Sequence, residues 1–296
     1  MMNVLSLFDG MSCGQLALKK IGVEIDRYYA SEIDKHAIEV TMHNFPNTTQ
    51  LGDVTKWRQW DIDWSKIDLL IGGSPCQGFS FAGKELNFED PRSKLFFVYV
   101  DILNHIKEYN PNVKFLLENV VMKPRFQNVI SEYLGVEPIC INSSRLSAAN
   151  RQRLYWSNFK VNAPKHLGIT FDDIMEDNQD YLSDSYIEKV KNWKAQQDPI
   201  KNATLIGAKQ KLPTLTARGH NQSHSGMILI TDGTRYRYMT NVEAERAMTV
   251  PDGYTSCLSN KESAKCLGNG WTVEVIVHIL KHMYNKQETF VRKKLI

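Results

Sequence analysis

The chain is short of paired cysteines, of long apolar runs and of net charge. Its five cysteines (Cys13, Cys76, Cys140, Cys257, Cys266) are odd in number, scattered and without a CxxC spacing, which disfavours a disulfide framework and a zinc site. Reduced thiols and no metal are therefore expected. No stretch approaches the roughly 18 consecutive apolar residues of a membrane span, and Met1 to Phe8 runs into a strand-like segment without a signal-peptide layout. This predicts a soluble, intracellular protein. Net charge is only +3, which is compatible with a nucleic-acid partner without requiring one. Internal repeats, low-complexity tracts and a G-x-G-x-x-G string are also missing. What is present is a chain of 296 residues with 42% apolar side chains, enough for one large domain and a smaller one.

The first half alternates short apolar runs with amphipathic segments. "NVLSLF", "DRYYAS", "IDLLIG" and "VKFLLENV" read as strands, and "GQLALKKIG", "DKHAIEVTMHNF" and "LFFVYVDILNHIKEYN" read as helices. Buried strands alternating with helices predict an α/β fold with a mainly parallel sheet over residues 1–160. From residue 161 the pattern degrades into a charged, partly helical stretch and then a turn-rich stretch with short β-like runs, so 161–240 is expected to be a separate small domain. Residues 241–296 end with a glycine-marked loop, "LGNG", and a helix with apolar spacing through Val273, Ile276, Val277, Leu280 and Met283.

Two clusters point to chemistry. "LSLFDGMSCGQLAL" is a strand, a glycine turn and a helix, which exposes backbone N–H groups to a ligand. Glu32 and Asp53 follow at successive strand ends, where carboxylates can accept hydrogen bonds from a ribose, so an adenosine-type ligand held without a pyrophosphate fits better than a dinucleotide. In the second cluster, "GGSPCQGFSF", Pro75 fixes its own φ and pushes Ser74 into an extended geometry, so Cys76 is presented stiffly at a strand end. The next strand ends in Glu118, whose expected partial burial would raise its carboxyl pKa and make it a proton donor. Arg151 and Arg153 in "NRQRLYW", two apart on a strand, would point the same way, toward anionic or carbonyl oxygens.

Taken in order, "FDGMSCG", "SEID", "GDV", "GGSPCQGFS", "LENV", "NRQRLYW" and "LGNGWTV" resemble the motifs of the DNA cytosine-5 methyltransferase family across nearly the whole chain. Ala149 and Trp271 look similar to the eukaryotic de novo branch, while "GGSPCQGFS" and "GN" look bacterial or viral. The resemblance implies a compact enzyme of a bacterium or phage, cytoplasmic, with the Rossmann-like fold of S-adenosylmethionine-dependent methyltransferases and a target-recognition domain at 161–240. It further implies S-adenosyl-L-methionine as cofactor and double-stranded DNA as partner, and it leaves a cognate restriction nuclease open as a candidate partner. Carried over onto this sequence, Cys76, Glu118, Arg151 and Arg153 would be catalytic. Phe8, Asp9, Gly10, Met11, Ser12, Cys13, Gly14, Glu32, Asp53, Val54, Thr55, Asn269, Gly270 and Trp271 would line the cofactor pocket. For DNA contact the candidates are Gln77, Ser80, Lys84, Arg218, Asn221, Arg235 and Arg237, because arginine reads guanine and asparagine reads adenine. A tRNA cytosine-5 methyltransferase and an inactive DNA-binding relative are the alternatives.

Overall fold

The computed structural model describes residues 1–75, 94–177, 180–185, 188, 204–217 and 228–284. Seven strands form the central sheet: β1 (Met2–Leu7), β2 (Ile25–Ser31), β3 (Thr49–Gln50), β4 (Leu69–Gly73), β5 (Lys114–Val120), β6 (Ile139–Asn142) and β7 (Gln152–Ser157). Their spatial order is β3-β2-β1-β4-β5-β7-β6. The first five in this order are parallel to one another, and β7 runs antiparallel to both β5 and β6. Helices α1 (Cys13–Lys20), α2 (Lys35–Asn44), α3 (Lys94–Tyr109) and α4 (Pro124–Leu134) supply crossovers. β1, β4 and β5 are buried on both faces, as apolar runs such as "VLSL" and "LLIG" require.

The chain leaves β1 for β2 on one side and returns to β4 on the other. This places the topological switch point between β1 and β4, where the carboxyl ends of parallel strands open a crevice. Core side chains fill both faces of the sheet, one cluster around Leu16, Ile71, Leu267 and Ile276 and another around Leu5, Leu70, Phe96 and Leu117.

A second sheet holds β8 (Thr204–Ile206), β9 (Ile228–Thr231) and β10 (Tyr236–Tyr238), in the order β10-β9-β8. Three further helices follow: α5 (Asn241–Ala247), α6 (Asn260–Asn269) and α7 (Val273–Tyr284). Thr240 and Glu243 start α5 with a reciprocal capping box. The strand-like register Ala149↔Leu212 lays residues 211–215 along the segment that precedes Arg151. Among the described residues no helix is long and apolar enough to cross a membrane, and no His, Cys, Asp and Glu cluster could hold a metal ion.

Candidate active site

The turn after β1 is built from left-handed backbone at Phe8 (φ 56°), Gly10 (φ 61°) and Ser12 (φ 57°). Such angles are costly for Phe and Ser, and they persist where surrounding contacts impose them. Those contacts are visible. The Ser12 hydroxyl donates to Asp9 Oδ2, and the Tyr28 hydroxyl donates to Asp9 Oδ1 at 2.8 Å. Burial pushes the Asp9 carboxyl up to about 6, against the lowering effect of these hydroxyls. The Gly10 N–H donates to Glu32 Oε2 at 2.8 Å, while Glu32 Oε1 accepts from Ile33 N at 2.7 Å and Asp34 N at 2.8 Å. Three backbone donors thus pin the Glu32 carboxylate at the end of β2.

Gly14 lies in the first turn of α1, where a Cβ would stand 2.3 Å from Ile71 Cδ1, so glycine allows the helix to pack on β4. Met11, Cys13 and Val54 turn their side chains into the core and can offer a ligand only backbone. The Cys13 thiol is pushed up to about 12 by burial, which makes it a poor nucleophile. Asp53 caps the 3-10 turn Val54–Gln59, accepting from Thr55 N at 2.9 Å and Thr55 Oγ1 at 2.8 Å. These bonds, chiefly that from the Thr55 backbone, lower its carboxyl pKa. Asn269 and Gly270 end α6; Gly270 lies against Met11 and Cys13, bringing the C-terminal motif onto the β1 turn.

At the ends of β4 and β5 the second cluster assembles. Antiparallel pairing sets Glu118 opposite Tyr155 and Val120 opposite Arg153, so the start of β7 meets the end of β5. Arg153 Nε lies 3.1 Å from Glu118 Oε1, with both side chains largely enclosed. Trp271 Nε1 donates to the other oxygen, Oε2, at 3.1 Å. Arg151 is 6% exposed; it donates through Nη1 to the Leu215 carbonyl at 3.1 Å, and its Nε has no partner. Burial, with Arg153 nearby, brings the Arg151 guanidinium down to about 10. Buried Asn119 donates through Nδ2 to Ser74 Oγ at 3.1 Å and to the Ser74 carbonyl at 3.3 Å. It therefore ties down the backbone two residues before Cys76. Sequence reasoning gave Asn119 no role, although its place beside Glu118 was the signal.

Cys76, Gln77, Ser80 and Lys84 lie outside the described residues, as do Arg218 and Asn221. Arg235 is at the surface, paired with Asp232 at 3.0 Å and stacked 3.8 Å over the Tyr181 ring. Arg237 is a correction. Its guanidinium is buried against Glu243, with Nη1 to Oε2 at 2.9 Å and Nη2 to Oε1 at 2.6 Å, and a third bond goes to the Tyr238 carbonyl. At 4% exposure the guanidinium is held inside the fold as the partner of a buried carboxylate, not presented at a surface that a duplex could reach.

The protein is similar to the orphan methyltransferase M.Rho11sI of Bacillus phage rho11s, at 46% identity over 124 residues. That match covers 40% of this chain and 23% of the phage protein, less than a quarter of its length. Type II methyltransferase M1.ScrFI of Lactococcus lactis subsp. cremoris is 29% identical over 95% of this chain and 77% of its own. Among solved structures, DNMT2 of Spodoptera frugiperda superposes with a TM-score of 0.69 at 21% identity, over 96% of this chain and 100% of that one. The fold is thus the Rossmann-like fold of methyltransferases, with its mixed, mainly parallel sheet. The sequence profile described as C-5 cytosine-specific DNA methylase matches residues 2–134 and 123–285, and the chain belongs to that family.

Proposed function

We propose that the protein transfers a methyl group from S-adenosylmethionine to C5 of a cytosine turned out of duplex DNA. The observation that carries this reading is the assembly at one switch point of the Asp9–Gly14 turn, the Ser74–Pro75 lead into Cys76, and the Glu118–Arg153 pair.

The residues present fit the cofactor. Glu32 is held as an acceptor at the end of β2, which suits ribose hydroxyls. The enclosed Asp9 carboxyl, at about 6, is one that a cationic ligand would favour in its charged form. Bound S-adenosylmethionine supplies an electrophilic methyl group on a sulfonium. The left-handed turn and the Gly270–Trp271 segment would bind and orient it.

C5 of cytosine is too electron-poor to take that methyl unaided. Cys76, as thiolate, adds to C6, and the electron pair of the ring double bond moves onto C5. Glu118 holds a proton at N3 as charge develops there, and Arg153 steadies O2. The Arg151 and Arg153 charges favour the thiolate. Once C5 has been methylated, a base removes its proton and the Cys76 sulfur leaves C6. Asn119 supports the first step by fixing Ser74, so that the thiol cannot retreat.

Turning the base out costs a few kcal/mol of stacking and pairing. Phe79, Phe81 and Lys84, on the segment after Cys76, are the proposed wedge and phosphate contacts. Residues 161–240 form the proposed target-recognition domain, with Arg218, Asn221 and Arg235 as readers. The test is transfer of labelled methyl from S-adenosylmethionine to duplex DNA and, in parallel, to tRNA. Label in cytosine of DNA is expected; label in tRNA with none in DNA would overturn the proposal.

A further inference from the structure

Trp271 reaches further than the wall of a cofactor pocket. It stands between α6 and α7, yet its indole lies at the carboxyl ends of two strands, β4 at Gly73 and β5 at Glu118. One edge approaches the start of α1, where a Cβ on Gly14 would be 3.5 Å from Cζ3. The other edge carries Nε1, 3.1 Å from Glu118 Oε2. Beneath the contact is Gly73: a Cβ there would stand 2.8 Å from Glu118 Oε2 and 3.0 Å from Trp271 Nε1, closer than side chains pack. Glycine at the end of β4 is what leaves this hydrogen bond room.

The two Glu118 oxygens are thereby divided, Oε1 facing Arg153 Nε and Oε2 facing the indole. A glutamate carboxyl sits on three rotatable bonds, and a donor on one oxygen alone leaves it free to swing. Donors on both fix its plane. Indole N–H is a donor only and does not titrate near neutral pH, so Trp271 can orient the carboxyl without exchanging a proton with it. Among the described residues no other side chain donates to Oε2.

We infer that Trp271 is a positioning residue, whose indole N–H holds the Glu118 carboxyl in the plane from which it meets the N3 edge of the cytosine. The inference rests on the role proposed above for Glu118. It gives Trp271 a task separate from cofactor binding, performed by a different edge of the same ring.

The test is a double-mutant cycle with Trp271→Phe, which keeps an aromatic ring and removes the N–H, and Glu118→Ala, which removes the carboxyl. The readouts are the single-turnover rate of covalent adduct formation with a duplex carrying 5-fluorocytosine, with cofactor present, and the cofactor Kd by direct titration. Trp271→Phe should slow the adduct about 10-fold in the Glu118 protein, equivalent to about 1.4 kcal/mol. Cofactor Kd should stay within about twofold, and in the Glu118→Ala background the same substitution should change the rate less than about twofold. Equal slowing in both backgrounds, an unchanged rate, or a loss that follows weakened cofactor binding would each overturn the inference. Absence of any adduct in the unmutated protein would instead strike the proposed function.

Discussion

Replacing Arg237 separates a buried structural ion pair from a DNA contact. Glu243 is fully buried and receives four donors: Arg237 Nη1 at 2.9 Å and Nη2 at 2.6 Å, Thr240 N at 2.9 Å, and Glu176 N at 3.0 Å. It joins β10, the first turn of α5 and the segment after Ile174. Arg237→Met leaves that carboxylate buried with only the two backbone donors. Removing one partner of a buried pair costs about 3–5 kcal/mol, a large share of the roughly 5–15 kcal/mol that holds a domain together. At a urea slope of about 2 kcal/mol/M, the midpoint should fall by roughly 1.5–2.5 M. Arg237→Met combined with Glu243→Leu removes both charges and should recover part of the loss, leaving two unpaired N–H groups. In DNA binding, the salt dependence of the folded Arg237→Met protein should keep its slope, because a lost phosphate contact would reduce it by about one. An unchanged urea midpoint together with a shallower salt slope would refute the burial argument.

Other positions test other parts of the account. Gly14→Val places a branched side chain where even a Cβ would be 2.3 Å from Ile71, and it should destabilise by at least the roughly 1–3 kcal/mol of an overpacked core, read by thermal unfolding. Asn119→Ala should lower the adduct rate about 10-fold while cofactor Kd holds, since it frees Ser74 and leaves the β1 turn intact. A shift in cofactor affinity alone would contradict that assignment. Burial raises the Asp9 carboxyl from 3.8 to about 6, so folding favours its protonated form. Its stabilising contribution is complete below about 4 and is lost as pH rises through about 6. Asp9→Asn should therefore gain stability relative to the unmutated protein between those values, by up to about 3 kcal/mol for the two-unit shift. A pH-independent difference in unfolding free energy would show that the carboxyl is not held in this way.

Much of the catalytic half is legible in the sequence because most of its motifs sit at the ends of parallel strands. "VLSLF", "IDLLIG" and "KFLLENV" are continuous apolar runs, and the residue that ends each run must emerge at the same edge of the sheet. Arg151 and Arg153 are legible as a pair, but their approach to Glu118 depends on β7 running antiparallel beside β5, which short-range pattern does not encode. The same limit applies to Trp271. Its sequence position marks a loop before a helix, and only the fold of α6 and α7 carries its N–H across to Glu118. Arg237 fails for a related reason: a basic residue in a turn-rich stretch looks solvated until Glu243, six residues on, is seen to be buried with it.

The central claim is that the sulfur of residue 76 joins C6 of an extruded cytosine. The direct measurement is peptide mass spectrometry of the protein after incubation with S-adenosylmethionine and a duplex containing 5-fluorocytosine at its target site, where the absent C5 proton blocks release. A stable protein–DNA conjugate with the modified nucleotide on Cys76 is expected, abolished by Cys76→Ala while cofactor binding persists. A conjugate at any other residue, or methyl transfer by the Cys76→Ala protein, would contradict it.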